Sequence, residues 1–451
     1  MGKQFLEITE KKEVDAIIAC VAAEVAKARA AKTDASVEKV KVAEALGRSV
    51  SADVFSALNV PPFDRAIMDG YAVVASDTFY ADENNPASLI INGSISAGES
   101  PLQRIDKGYC MGISTGAPLP GGANATVKVE NTSEYADNVE GKKTKKVKVY
   151  KPVAPGENIM LAGSDIKRGE RIVRRGTTLT PRETGVLAAC GLNEVAVHKK
   201  PIVAIISSGN ELIAPGEDLE PAKIYDVNSQ ALSDSVRECG CSPYFLGIAR
   251  DNIEDISGRL NESLEKGVDV IIISGGTSAG VGDPLPKVIE ELGEILVHGV
   301  DIKPGKPFIF GTLQGKPFFG LPGNPTSALV TFNLFVAPLL RTISGIPVQN
   351  HEKGGGRKEK RIKAKAAQRI FSERGRNEYV LVNLVSAKKP EEASVIAYPI
   401  LTGSGAITTL AKADGYIFME KGKEIIEEGE EVYVELLTNL FASKKLYQKI
   451  P

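Results

Sequence analysis

Hydrophobic and polar positions change their spacing several times along the chain. Residues 13–31 are rich in Ala, Val, Glu and Lys at helical spacing, which predicts one helix. A second helix is predicted from Val37 to about Gly47, followed by a strand over residues 49–55. From Pro61-Pro62 to about Lys151, short apolar runs alternate with turn residues, which is typical of a small β module. Its lysine-rich tip, near residues 141–148, is predicted to be a solvated hairpin.

One helix between this module and the next has signals at both ends. Thr180 is a candidate N-cap, Pro181 stands at the first helical position, and Glu183 completes a capping box. Gly191 is the expected stop. These local signals predict a helix over residues 180–190.

From Pro201 onward, continuous apolar runs alternate with amphipathic segments. The predicted strands are residues 202–206, 244–248, 268–273 and 317–321. The predicted helices are residues 229–238, 253–266, 285–292 and 326–340. Buried strands separated by helices predict a parallel sheet that is covered on both faces. Short alternating strands beyond the glycine-rich linker at 354–356 predict a small β-barrel.

Composition and charge narrow the functional classes. The 451 residues are 43% hydrophobic and 25% charged, which is ordinary for a globular protein of about three domains. A net charge of −2 gives no electrostatic reason to expect a nucleic-acid or membrane partner. Five cysteines and three scattered histidines favour neither a disulfide framework nor a zinc site. No secretory signal and no apolar run of membrane-spanning length is recognised, so a cytoplasmic location is expected.

Polar and glycine-rich segments follow three predicted strands of the sheet, namely residues 207–212, 274–283 and 320–327. Because ligands of open parallel sheets bind beyond the carboxyl ends of the strands, we expect these segments to form a rim. Glycine amides with nearby lysines suit a phosphate or oxyanion, and carboxylates suit a divalent cation that bridges to phosphate. The spacing fits neither a Walker A loop nor a dinucleotide fingerprint. The expected ligand is a phosphorylated, nucleotide-like molecule bound with magnesium.

Helix capping explains several of the same residues without a ligand. Asp283 before Pro284 and Asn324 before Pro325 are ordinary starts of helices, and Asn252 with Asp255 is a capping pair. Turn chemistry explains the glycines and prolines of the β module, but it does not obviously require Asp64, Arg65 and Asp69 together.

Six motifs in a fixed order resemble one known family. They are PPFDRAIMDGYAV at 61–73, ISTGAPLPGGA at 113–123, SSGNEL at 207–212, GGTSAGVGD at 275–283, IKPGKP at 302–307 and GLPGNPTSA at 320–328. Together they resemble the molybdopterin molybdenumtransferase family, which includes the MoeA-type proteins and the E domain of gephyrin. The resemblance spans residues 5–436 and implies a doubly wound, MogA-like α/β domain, an inserted β domain, an elongated helical and β domain, and a C-terminal β-barrel. The implied boundaries are 1–58 with 160–200 for the discontinuous elongated domain, 59–159, 201–347 and 348–451.

The resemblance also implies an activity. Such enzymes ligate molybdenum from molybdate, or tungsten from tungstate, to adenylylated molybdopterin and release AMP in a magnesium-dependent step. The implied catalytic residues are Asp69, Thr115, Glu211 and Asp251. The implied metal-linked acids are Asp165, Glu211, Asp251 and Asp283. The implied substrate-binding residues are Gly275, Gly276, Thr277, Ser278, Lys303, Lys306, Pro322, Asn324, Pro325, Arg376 and Ser404.

Family members are dimers whose active cleft lies between the sheet domain of one subunit and the β module of the other, so a homodimer is expected. A pterin adenylyltransferase is an expected partner. Three other interpretations stay open: a gephyrin-like scaffold, an adenylyltransferase, and a catalytically idle pterin-binding paralogue. Two departures from the family pattern, Ala66 in place of the common serine and Pro284 after the glycine loop, affect details of the site.

Overall fold

The computed structural model of the protein describes residues 9–31, 36–139, 142–277, 284–346, 361–372, 375–386, 395–401, 403 and 405–437. These residues divide into two units. The first, which we call the α/β–barrel unit, contains the described residues of Met1–Glu38, Gly47–Ser51 and Val197–Pro451. The second, which we call the β unit, contains the described residues of Lys39–Leu46 and Ala52–Ala196.

A six-stranded sheet of mixed direction forms the centre of the β unit. Its strands, in spatial order, are Ala125–Lys128, Gly70–Val73, Tyr109–Ile113, Ala87–Ile95, Lys142–Val149 and Thr132–Val139. Val73, Leu89 and Val147 pack in one core, and Ala72 and Met111 pack in a second, so both faces of the sheet bury apolar side chains. The last two strands are the predicted lysine-rich hairpin, with Thr132 paired to Val149.

Smaller elements complete the β unit. Two short antiparallel pairs join Val54–Phe55 to Arg171–Val173 and Arg65–Ala66 to Ile159–Met160. Short 3-10 helices cover Val42–Glu44, Ala75–Thr78 and Val129–Asn131. The helix Pro181–Ala189 has the predicted capping box between Thr180 and Glu183, and Gly191 follows it with a φ of +72°.

The predicted helix over residues 37–47 is wrong. The structure has a strand at Val37–Lys41 followed by the 3-10 helix Val42–Glu44. Valines and charged residues alternate from Lys39 to Val42, and this period of two, with β-branched side chains, favours a strand. A further strand, Glu194–His198, precedes the sheet of the other unit.

The α/β sheet has six strands, in the order Ser242–Ala249, Ile202–Ser208, Val270–Ser274, Lys316–Leu321, Ile309–Leu313 and Gly293–His298. The first four strands are parallel, as predicted. The last two were not predicted, and Ile309–Leu313 runs antiparallel to both of its neighbours, Lys316–Leu321 and Gly293–His298. Gln314 and Gly315 connect two of these strands with φ angles of +47° and +75°, as a tight hairpin turn requires. The sheet is therefore mixed and not wholly parallel.

Helices cover both faces of this sheet, as predicted. They are Lys11–Ala31, Asn228–Glu238, Ile253–Glu265, Leu285–Leu292, Pro325–Thr331 and Ala337–Ile343, and the segment Phe332–Val336 between the last two is a π-helix. Alternate strand residues enter two separate cores. Ile205 packs in one core with Leu232 and Phe335, and Ile206 packs in the other with Leu260.

The stretch Pro325–Ile343 is long and apolar enough to cross a membrane by length and composition, so the prediction that no run reaches that length needs correction. Two thirds of it, 67%, is buried within the protein. Its residues Phe332, Phe335 and Leu340 belong to the core beside the sheet. This burial is that of a core helix.

The C-terminal region forms the predicted barrel. The strands Asn377–Ser386, Val395–Pro399, Arg361–Ala366, Glu431–Leu436 and Gly415–Met419 follow one another, and the last pairs with the first. A short strand, Ile302–Lys303, extends this sheet through parallel pairing with Asn377 and Glu378. A strand pair, Ile370–Phe371 with Ile425–Ile426, and the helix Ile407–Lys412 complete the region.

Candidate functional site

In the β unit, Asp69 and Thr115 lie at the ends of two neighbouring strands. Asp69 precedes the strand Gly70–Val73, and Thr115 follows Tyr109–Ile113; Gly70 is paired with Ile113. The backbone N–H and the hydroxyl of Thr115 both donate to Oδ1 of Asp69, at 2.7 and 3.0 Å. These hydrogen bonds hold the pKa of the exposed Asp69 carboxyl below its ordinary value. The structure therefore brings these two predicted catalytic residues together, with the acid ionised.

The other charged residues of the same motif have structural partners. Oδ1 of Asp64 accepts a hydrogen bond from the N–H of Ala162 at 2.8 Å. The guanidinium of Arg65 lies 3.5 Å from Sδ of Met160. Asp64 and Arg65 thus tie their loop to the segment at 159–162, whereas the carboxylate of Asp69 accepts its hydrogen bonds from another predicted catalytic residue, Thr115. Asp165 is also exposed, and its N–H donates to the carbonyl of Val60.

In the α/β–barrel unit, the loops after two neighbouring parallel strands are joined. The hydroxyl of Ser208 donates to Oδ1 of Asp251 at 2.5 Å, and the N–H of Asp251 donates to Oδ1 of Asn210 at 3.2 Å. The exposed Glu211 folds back over Gly209, where an added Cβ would lie 2.9 Å from both carboxylate oxygens. Asp251 and Glu211 therefore belong to one acidic corner of the sheet edge.

The first residue of the glycine-rich loop, Gly275, has no space for a side chain. Gly275 has a φ of +105°, and an added Cβ would lie 2.1 Å from the carbonyl oxygen of Ser208. The N–H of Gly275 and the hydroxyl of Thr277 both donate to the carbonyl of Leu321, at 3.0 and 3.3 Å. Gly276 lies between them. The predicted site residues Ser278 and Asp283 lie outside the described residues.

Asn228 is a buried residue of the rim that the sequence analysis missed. Its side-chain nitrogen donates to Oγ of Ser274 and to the carbonyl of Gly323, each at 2.8 Å. Ser274 in turn donates to the carbonyl of Pro322 at 3.2 Å. One amide thus joins the start of the glycine loop to the LPGNP loop. The signal in the sequence was YDVN at 225–228, because Asp226 caps the helix through the N–H of Ser229 and leaves Asn228 without a capping role.

Two lysines lie on, or just after, the short strand Ile302–Lys303 that pairs with the barrel. Nζ of Lys303 is 3.3 Å from Oε1 of Glu378, its register partner on the barrel strand. The other oxygen of Glu378 is buried without a hydrogen-bond partner among the described residues. Lys306 is half-buried, and its carbonyl accepts from the N–H groups of Val300 and Phe308.

The remaining predicted residues lie around the LPGNP loop and on the barrel. Asn324 is the residue before the helix Pro325–Thr331, and its side chain makes no capping hydrogen bond. An added Cβ on Gly405 would lie 3.7 Å from Oδ1 of Asn324, which places Gly405 beside this loop. Arg376 is half-buried at the start of the barrel strand. Ser404 lies outside the described residues.

The acidic residues that the structure describes do not form an all-protein metal cage. Within the described parts of the chain there is no group of three or more His, Cys, Asp or Glu side chains placed to hold a metal ion. Glu211 and Asp251 offer hard oxygen ligands at one corner of the rim. Two carboxylates suit magnesium, which completes its coordination with water and substrate phosphate.

Models of known protein families match most of the chain. Three family models match in succession: the MoeA N-terminal region (domain I and II) at residues 13–191, a probable molybdopterin binding domain at 204–342, and the MoeA C-terminal region (domain IV) at 363–437. A molybdopterin molybdenumtransferase of Bacillus subtilis is 31% identical over 89% of this chain and 90% of its own. The chain belongs to the MoeA family.

Other MoeA relatives extend the comparison. A molybdopterin molybdenumtransferase of Haemophilus influenzae is 30% identical, with 89% of this chain and 94% of the relative covered. The crystal structure of a molybdopterin biosynthesis MoeA protein from Pyrococcus horikoshii has a TM-score of 0.76 and 38% identity, and covers 96% of this chain and 100% of that chain. The α/β sheet, the inserted β sheet and the closed barrel agree with the fold class that the sequence predicted.

Proposed function

We propose that this MoeA protein is a molybdopterin molybdenumtransferase. It transfers molybdenum from molybdate, or tungsten from tungstate, to adenylylated molybdopterin and releases AMP. The relatives named above carry the transferase name. In this chain the proposal rests on the hydrogen bonds of Asn228. Its side-chain amide donates to Ser274 and to Gly323 and so joins two loops at the edge of the α/β sheet. Open parallel sheets bind their ligands at this edge, beyond the carboxyl ends of the strands.

Charge assigns parts of the reaction to particular residues. Molybdate is a tetrahedral dianion, so the ammonium groups of Lys303 and Lys306 and the guanidinium of Arg376 are suitable partners. The exposed, ionised carboxylate of Asp69 can accept a hydrogen bond from a water molecule and orient it, as hydrolysis of a phosphoric anhydride requires. Thr115 keeps this carboxylate in one orientation.

Magnesium is part of the proposal. Glu211 and Asp251 would hold it, because the described residues offer two carboxylates at one corner and no closed cage. When bound, the ion neutralises charge on the phosphate groups. Asp165 and Asp283 remain proposed contributors. We further propose a cytoplasmic homodimer that receives the pterin from an adenylyltransferase; the family resemblance supports this.

Release of AMP tests the function directly. The purified protein would be incubated anaerobically with adenylylated molybdopterin and magnesium, with molybdate, with tungstate or without either. Oxyanion-dependent release of AMP is expected, and the comparison of the two oxyanions gives the preferred metal. Tight pterin binding without release of AMP would contradict the proposal and favour an idle pterin-binding protein.

A further inference from the structure

The β unit contains a cavity of 390 Å³ next to Asp69. Three glycines line it, Gly70, Gly93 and Gly112, and they come from three strands that are neighbours in the sheet. A Cβ on Gly112 would lie 3.3 Å from Cβ of Ser94, and one on Gly70 would lie 1.8 Å from the carbonyl oxygen of Val127. Gly70 therefore permits the close approach of the strand that contains Val127. The three glycines present backbone without side chains to the cavity, and such a wall suits a flat ring.

Polar side chains stand at other parts of the wall. The hydroxyl of Tyr71, a residue that is only 6% exposed, donates to the carboxylate of Glu134. This bond fixes one carboxylate oxygen and leaves the second available. Lys145 lines the same cavity. Ile91 and Val129 add apolar surface.

The lysine and the acids of the cavity do not neutralise one another. Among the ion pairs of the described residues, none joins Lys145 to Glu134 or Asp69, whereas the adjacent Lys146 pairs with Asp137 at 2.9 Å. A carboxylate and an ammonium group that face one cavity without pairing can bind a ligand with both donors and acceptors. This is a different feature from the Asp69–Thr115 pair.

We propose that this cavity binds the aminopyrimidinone ring of the pterin. The ring is flat, and its N–H and exocyclic amino groups are donors for Glu134, while its carbonyl oxygen is an acceptor for Lys145. Glu134 and Lys145 are then specificity-determining residues for the pterin. This inference rests on the proposed function, which supplies the identity of the substrate.

Charge decides which part of the substrate fits the cavity. Asp69 and Glu134 bring two negative charges against the one positive charge of Lys145. Inside the cavity this excess would repel phosphate groups and molybdate, whereas it would not repel a neutral ring. The phosphate groups would then lie outside the cavity, on the side of Asp69 that Thr115 contacts. The cavity therefore suits the ring of the substrate and not its anionic groups.

Two substitutions test the inference. Glu134→Gln keeps an acceptor for Tyr71 but removes the negative charge, and Lys145→Met removes the ammonium group while it keeps a side chain of similar length. The controls are Glu130→Gln and Lys148→Met, at exposed residues that do not line the cavity. The KM values for adenylylated molybdopterin and for molybdate would be measured by release of AMP, and the dissociation constant by the change in pterin fluorescence.

Loss of a charge-assisted hydrogen bond is expected to raise the KM and the dissociation constant for the pterin roughly 10- to 100-fold. The KM for molybdate and both controls should change less than about twofold. Pterin constants that are unchanged in both cavity variants would overturn the inference and leave the proposed function standing. If the unaltered protein releases no AMP, the proposed function is wrong. The fluorescence titration then still tests the inference, which is overturned if the pterin does not bind or if all variants bind it equally.

Discussion

Thr115 donates two hydrogen bonds to the same oxygen of Asp69, one from its backbone and one from its side chain. A carboxylate that accepts two donors is stabilised in its charged form, so the pKa of Asp69 is lowered. Asp69 therefore stays ionised to lower pH than an ordinary aspartate. Its catalytic contribution should be present at neutral pH and lost as the pH falls through its lowered pKa.

Thr115→Val should move the acidic limb of the kcat/KM profile to higher pH. The substitution removes the hydroxyl donor and keeps the N–H donor, so the pKa of Asp69 should rise toward its ordinary value of 3.8. Profiles of both proteins from about pH 2.5 to about pH 6 measure the shift, because both pKa values lie at or below the ordinary value of 3.8. Asp69→Asn should abolish most of the activity and should also remove the acidic limb of the profile. An identical limb in Thr115→Val and the unaltered protein would show that Thr115 does not tune Asp69.

Asn228→Ala should separate the two loops that the amide joins. Its loss leaves the buried hydroxyl oxygen of Ser274 and the carbonyl of Gly323 without this donor, which is expected to reduce the free energy of unfolding by about 1–3 kcal/mol. The KM for adenylylated molybdopterin should rise about tenfold or more. Asn333→Ala is the matched control, because its amide donates to the carbonyl of Leu329, four residues earlier in the chain, and joins no two loops among the described residues. Equal KM values in the two variants would contradict the role given to Asn228.

Gly275→Ala should damage the start of the glycine loop. The added Cβ would lie 2.1 Å from the carbonyl oxygen of Ser208, and the φ of +105° strains any other residue. A loss of about 1–3 kcal/mol in unfolding free energy is expected, together with weaker substrate binding. In contrast, Gly258→Ala lies within a helix where no heavy atom is within 4 Å of the new Cβ. That substitution should stabilise the protein by about 0.5–1 kcal/mol, as denaturant unfolding would show.

Thr180→Ala should lower stability by about 1 kcal/mol without a change in kcat/KM, because it removes only a helix cap. The effect should depend on pH. Hydrogen bonds from Thr180 lower the pKa of Glu183, so this contribution is present above the ordinary pKa of 4.5 and is lost as the pH falls through the lowered value. The stability difference between the two proteins should therefore shrink in acid. A difference that stays constant would mean that Glu183 takes no part in the cap.

Local signals in the sequence predicted some elements well and others poorly. The helix Leu285–Leu292 has the predicted bounds, and the helix Pro181–Ala189 lies within one residue of its predicted ends. In both cases the residues at the ends of the helix determine where it begins and ends. The strand Val37–Lys41 was predicted as a helix because its short apolar run fits both periods. The antiparallel strands of the α/β sheet have no comparable marker apart from the turn at Gly315.

Contacts between distant residues could not be predicted from the motifs. The two partners of Asn228 are 46 and 95 positions away, and Tyr71 is 63 positions from Glu134. Motifs identified Asp69 and Thr115 individually through the family resemblance. The folded chain adds that both donors of Thr115 meet one oxygen of Asp69. The cavity beside them depends on glycines from three strands, which no single motif contains.

The pairing of Lys303 with Glu378 has a consequence for dissecting the protein into fragments. The two residues belong to different predicted domains, on either side of the boundary at 347, yet they are register partners in one sheet. A gene fragment that encodes only residues 201–347 would retain Lys303 and lose the strand that aligns it. Weak oxyanion binding by such a fragment would then reflect a missing neighbour and not the chemistry of the lysine.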